Sequence, residues 1–158
     1  MTHTMQVQRV VALGDPALDE LIRQSDEYLA SLYPPESNHT EPLAALISDT
    51  SAFFKGVIGS ECVACGAVKL MDDDIRYGEI KRVFVSERQR GSGLATAIMS
   101  ALEDYILEHD ISVARLEAGP LQPAALKLYG KLGYRERGPF GSYQSDPLST
   151  FMEKHLSL

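Results

Sequence analysis

Val83-Phe84-Val85-Ser86-Glu87-Arg88-Gln89-Arg90-Gly91-Ser92-Gly93-Leu94-Ala95 is the stretch around which the chain is organised. An apolar strand closes at Val85, a short polar turn carries Arg88 and Arg90, and a helical pattern starts directly after Gly93. Leu94, Ile98, Ala101, Leu102, Tyr105 and Ile106 then share one helical face. A strand, a glycine-rich turn and a helix N-terminus in this order aim several free backbone N–H groups, and the positive end of the helix dipole, at one spot. An anion, most often a phosphate, is the usual occupant. The glycines let such a ligand approach the backbone closely.

Two familiar phosphate loops fit poorly. A Walker loop ends in Gly-Lys-Ser/Thr, which is missing here. A dinucleotide fingerprint needs a third glycine or alanine where Thr96 stands. A helix start with glycines that serve packing alone stays open at this point, as does a loop for another nucleotide.

The 158 residues suit one domain with its own core. With 15 Lys and Arg against 22 Asp and Glu, the net charge of −7 argues against a nucleic-acid surface. No apolar run is long enough to span a bilayer and no signal sequence opens the chain, so a cytoplasmic protein without membrane association is expected. Cys62 and Cys65 lie in a β-like apolar segment, where positions three apart face opposite sides. Two separate buried thiols are therefore expected, rather than half a zinc site or a redox pair. Asp72-Asp73-Asp74 lacks the alternating spacing and closing Glu of a calcium loop and reads as a solvated hairpin turn. No metal is expected.

Taken in order, Gln6 to Leu13 reads as a strand, and Asp15-Pro16 caps a helix that stops before Pro34-Pro35. A polar loop carrying Glu36 and His39 follows, then a short second helix over Glu41 to Asp49. Ser51 to Ile58, Glu61 to Met71 and Ile75 to Val85 form three consecutive strands. The helix after the glycine turn ends near His109-Asp110, Ser112 to Ala118 is a strand, and Gln122 to Leu132 is a helix closed by Gly133. Tyr134 opens a short strand and Ser149 to Lys154 supplies the last.

The segment Arg90-Gly91-Ser92-Gly93-Leu94-Ala95 resembles motif A of the GNAT N-acetyltransferase superfamily, Arg/Gln-x-x-Gly-x-Gly/Ala. Gln122 to Tyr134, with Ala125, Leu128-Tyr129 and Gly133-Tyr134 in register, resembles motif B, with Gln for its Asn and Tyr for its Phe. Pro34 to Ser37, Gly78 to Lys81 and Asp146 to Met152 are similar to segments of a bacterial subgroup of that superfamily. The resemblance implies an α/β (α+β) fold with a mixed central sheet of about six or seven strands flanked by helices. It departs from the pattern at Glu87, where proline is usual, and at Lys81, where glutamate is frequent.

The resemblance further implies an N-acetyltransferase that moves an acetyl group from acetyl-CoA to a primary amine, by direct attack in a ternary complex. The amides of Arg90, Gly91, Ser92, Gly93, Leu94 and Ala95 would hold the pyrophosphate, with Gln122 also on the cofactor side. A backbone N–H in the Phe84–Val85 region of the central strand would polarise the thioester carbonyl. Tyr129 would protonate the departing thiolate. Glu79, on the same strand face as Lys81 by parity, would take the proton of the amine, directly or through a water. Glu36, His39, Glu117, Phe140, Tyr143 and Asp146 are the candidates for shaping the acceptor pocket. The acidic chain favours a cationic small-molecule or peptide amine, and a homodimer is a family-level expectation. A non-catalytic acyl-CoA-binding module is the rival reading; it needs the loop but neither Glu79 nor Tyr129.

Overall fold

The computed structural model describes residues 4–157. Its centre is a seven-stranded sheet in the order β1-β2-β3-β4-β5-β7-β6. The strands are β1 (Gln6–Val10), β2 (Ser51–Ile58), β3 (Glu61–Asp72), β4 (Arg76–Val85), β5 (Val113–Ala118), β6 (Arg135–Arg137) and β7 (Thr150–His155). Only the β4–β5 pair is parallel, so the sheet is mixed. That pair is joined through helix α2 (Leu94–Glu108), the crossover a parallel connection requires.

Helix α1 (Pro16–Leu32) begins as its sequence dictates. Asp15 is the N-cap, its carboxylate accepts the Ala17 and Leu18 amides at 3.1 and 3.4 Å, and Pro16 occupies the first turn. Its buried Leu18 and Leu21 pack on one sheet face with Phe53, Cys65 and Ala67. Helix α2 covers the opposite face, where Ile98, Leu102 and Ile106 meet Ala64, Val68 and Ile80. Gly66 and Gly78 make this approach close: a Cβ would sit 2.6 Å from Ile98 and 2.4 Å from Ile106 respectively. Helix α3 (Pro123–Lys131) adds Tyr129 to the same core.

Three expectations need correction. The first strand ends at Val10, leaving Val11 and Leu13 exposed. The expected helix over Glu41 to Asp49 is a single 3-10 turn, Leu43–Leu46, introduced by Pro42 in extended conformation; Leu43 and Leu46 still point inward. The third concerns the cysteines, which share one sheet face with α1. A bulge causes this: pairing passes from Gly56–Ala64 to Val57–Cys62, so Val63 is an extra residue that inverts strand parity between the two thiols. Both remain free, and burial pushes the Cys62 thiol to about 11 and the Cys65 thiol to about 12. They are core side chains, not thiolate nucleophiles. Among the described residues no helix is long and apolar enough to cross a membrane.

Candidate active site

β4 and β5 share only three paired positions, Gly78–Ala114, Glu79–Arg115 and Ile80–Leu116. Beyond Leu116 the strands part, and the backbone of Lys81 to Val85 has no β5 partner. A bulge accompanies the parting. Between Cys65–Phe84 and Ala67–Lys81, β4 carries one residue more than β3, and Arg82 takes a left-handed φ of 60°. A side chain rarely adopts that conformation unless its surroundings impose it. Here α1 does so: the Arg82 side chain is 3% exposed and its guanidinium sits 2.6 Å from Asp26. The Cys65 thiol donates to the Arg82 carbonyl at 3.3 Å. The bulge thus lies just before Phe84 and Val85, which stand on the free section of strand beyond it.

The glycine turn sits at the far end of this parting. Gly91 and Gly93 have φ of 83° and 77°, and nothing lies within 4 Å of where their Cβ atoms would be. Gly93 is the N-cap of α2, and no side chain caps that helix start. Its first amides therefore have no side-chain partner, and the positive end of the helix suits an anion in sign. Arg90 braces the turn rather than covering it. Its Nε donates to the Val85 carbonyl at 3.3 Å, and its guanidinium lies 5.0 Å from the Tyr28 ring and 5.6 Å from that of Phe84.

A cleft of about 110 Å³ occupies the parting. Phe84, Gln122 and Tyr129 line it, together with His39, Glu79, Lys81, Glu117 and Tyr143. Gln122 precedes α3 and accepts a hydrogen bond from the Tyr33 hydroxyl at 3.2 Å. Tyr129 is 7% exposed; burial, with the Glu117 charge adding to it, raises its hydroxyl to about 12.

Glu79, at 5% exposure, is a charge already partnered. Its Oε2 accepts from the Tyr143 hydroxyl at 2.6 Å and from Lys81 Nζ at 3.2 Å. Lys81 also pairs with Glu41 at 3.2 Å, and Glu41 with Lys69 at 3.0 Å. His39 packs edge-on against Tyr143, their rings 5.2 Å apart. The Glu36 side chain is exposed outside the cleft, and Phe140 is a core residue beneath it, packed with Tyr77 and Phe151. Asp146 instead ties two distant segments together, accepting from the Ser37 hydroxyl at 2.6 Å. Glu41, Lys69 and Tyr33 are site neighbours that sequence reading missed. No local pattern marks them, because only the tertiary fold brings them to the cleft.

Residues 17–134 match the model of the acetyltransferase (GNAT) family. The chain is 40% identical over 140 residues to an IAA acetyltransferase of Azospirillum brasilense, covering 89% of this chain and 91% of that one. The crystal structure of a Klebsiella pneumoniae protein, provisionally named an acyl-CoA N-acyltransferase, superposes with a TM-score of 0.78 at 32% identity, over 97% of this chain and 98% of its own. The fold is also that of the PaiA N-acetyltransferase of Thermoplasma acidophilum in complex with coenzyme A, with TM-score 0.75, 16% identity and coverage of 96% and 99%. Parted strands, an uncapped glycine turn and these relationships lead to one statement: the chain belongs to the GNAT family and is an acetyl-CoA-dependent N-acetyltransferase.

Proposed function

We propose that this chain transfers the acetyl group of acetyl-CoA to a primary amine of a small molecule or peptide, by direct attack within a ternary complex. When bound, acetyl-CoA supplies an acetyl group activated as a thioester. The amides of Arg90 to Ala95 would hold its pyrophosphate, and backbone N–H in the Phe84–Val85 section would polarise the carbonyl. Tyr129 would give its hydroxyl proton to the leaving sulfur. On the acceptor side Glu79, expected from the sequence as the base, fixes Lys81 and Tyr143. Its register partner on β5 is Arg115, and two residues further along that strand stands a second carboxylate, Glu117.

One observation carries this reading. The opening between β4 and β5 holds one cleft lined by Phe84 near the end of the central strand, by Tyr129 and by a separate polar wall. A nucleophile and a thioester can then meet from opposite sides without a covalent enzyme intermediate. The buried, protonated cysteines agree with direct attack.

The test is release of free thiol from acetyl-CoA with IAA, 1,4-diaminobutane, tryptamine, L-lysine and glycinamide as acceptors, products identified by mass spectrometry. An N-acetylated product from any amine supports the reading. Saturable acetyl-CoA binding with no transfer to any acceptor would favour the non-catalytic module.

A further inference from the structure

We propose that residues 33–41 form a fixed strap across the parting of β4 and β5, which restricts the acceptor to a free small-molecule amine and excludes an amine carried on a peptide or protein. The inference rests on the acetyl-transfer reading and narrows its acceptor class.

The strap is tied down along its length. At its start the Tyr33 hydroxyl accepts from the Leu121 amide at 3.2 Å and donates to Gln122 Oε1 at 3.2 Å. Both partners lie between β5 and α3. Gly119 leaves room for this contact, because a Cβ there would sit 1.7 Å from the Tyr33 hydroxyl oxygen. In the middle, the Ser37 hydroxyl donates to Asp146 Oδ2 at 2.6 Å, and Asp146 Oδ1 accepts from the Leu148 amide at 2.8 Å. His39 meets Tyr143 edge-on two residues later. At its end Glu41 pairs with Lys81 on β4 at 3.2 Å and with Lys69 on β3 at 3.0 Å. The first tie thus reaches the segment that follows β5, and the last reaches β4, so the strap spans the two strands that part.

Its backbone is stiff as well. Pro34 and Pro35 follow Tyr33, and Pro42 follows Glu41. Proline fixes φ, and Pro34 and Pro42 sit in extended conformation at −68° and −69°. A segment with few conformations to gain and ties at both ends opens at a cost that a mobile loop does not carry.

The acceptor has to fit what the strap leaves. Ser37, Asn38, His39 and Thr40 line the cleft. Its 110 Å³ hold on the order of ten water-sized groups, which suits a small amine beside the acetyl group. A lysine or N-terminus within a longer chain brings its flanking residues with it, and these need the place that the strap holds. Lys81 makes the last tie possible. It stands where the family frequently has glutamate, and a carboxylate there would repel Glu41 instead of pairing with it. Lys81 is therefore a positioning residue for the strap.

The test sets matched amines against each other. Glycinamide is compared with a decapeptide that begins with glycine, and n-butylamine with an N-acetylated decapeptide that holds one lysine. For whichever pair is acetylated, the parent is expected to favour the free amine at least about 100-fold in kcat/KM. Ser37→Ala/Glu41→Ala, which cuts two ties, should narrow that ratio at least about tenfold by gaining rate on the peptide. Amide hydrogen exchange checks the strap without any acceptor. The Ser37 and Asn38 amides, which donate to the Pro34 and Pro35 carbonyls at 3.0 and 3.2 Å, should exchange at least about tenfold more slowly in the parent than in Ser37→Ala. Peptide acetylation by the parent within about threefold of the free amine, or strap amides that exchange in the parent at the rate of an unstructured chain, would overturn the proposal. A protected strap with no transfer to either member of any pair would instead strike the underlying acetyl-transfer reading.

Discussion

The Tyr143 hydroxyl donates a 2.6 Å hydrogen bond to Glu79 Oε2, joining the C-terminal loop to the central strand across 64 residues. Lys81 Nζ reaches both partners, at 3.1 and 3.2 Å. This triad builds a polar wall of the cleft from two elements that have no local reason to meet. Removing the hydroxyl leaves Glu79 with Lys81 alone. Tyr143→Phe is therefore expected to lower the unfolding free energy by about 1.5–3 kcal/mol, the size of a hydrogen bond to a charged group. Urea denaturation at neutral pH measures this, and an unchanged midpoint would remove the triad from the account.

Tyr129 is expected to matter for rate more than for binding. Burial, and then the Glu117 charge, raise its hydroxyl to about 12, against an ordinary value of about 10. The protonated form, which donates, is thus complete below pH 10 and is lost only as pH climbs towards 12. Transfer by the parent protein should show no falling limb from this group below about pH 10. Tyr129→Phe should reduce kcat about 10- to 100-fold, the lower range of proton-transfer contributions, with little change in acetyl-CoA affinity. Steady-state kinetics across pH 6–11 separate these effects.

Arg115 fixes the sheet beneath the site. Its side chain is 2% exposed, bonds Asp74 at 2.8 and 2.9 Å and Glu153 at 2.7 Å, and lies 4.4 Å from the Tyr77 ring centre. Asp74 belongs to the acidic hairpin turn, so that turn is pinned to β5 rather than merely solvated. The Arg115 hydrogen bonds hold the Asp74 carboxyl well below its usual range. Burial raises the Glu153 carboxyl, but Arg115 and Arg137 more than reverse this. Both folded values are depressed, so the stability they contribute is present above the unfolded values near 4 and lost as pH falls below them. Arg115→Met is expected to lower the melting temperature at pH 7 and to flatten its dependence between pH 5 and 2. Melting curves in that window check the sign.

The sequence made the glycine turn legible because that turn is local. Gly91 and Gly93 specify left-handed backbone, and Leu94 to Ile106 specify the helix that follows. The common face of Glu79 and Lys81 was legible too, since both precede the bulge at Arg82 and ordinary strand alternation still holds. Bulges were not readable. Nothing near Val63 or Arg82 distinguishes them from regular strand residues, and the extra residue at Val63 is why Cys62 and Cys65 share a face. The polar wall of the cleft was legible only as a set of scattered candidates. His39, Tyr143 and Glu117 meet because Ser37 and Asp146 clasp their loops, which depends on the whole chain.

The measurement that bears most directly on the central claim is a calorimetric titration with acetyl-CoA, with coenzyme A, ATP and NAD as comparators, on the parent protein and on Gly93→Val. The glycine has φ of 77° and no neighbour within 4 Å, so the added side chain would enter the space in front of the α2 amides. Its cost to folding is about 1–2 kcal/mol from left-handed strain. Saturable binding of acetyl-CoA and coenzyme A but not ATP or NAD, weakened at least about tenfold in a folded Gly93→Val protein, is the predicted result. No binding of acetyl-CoA by the well-folded parent, or binding indifferent to Gly93→Val, would contradict the assignment of the glycine turn as the pyrophosphate site.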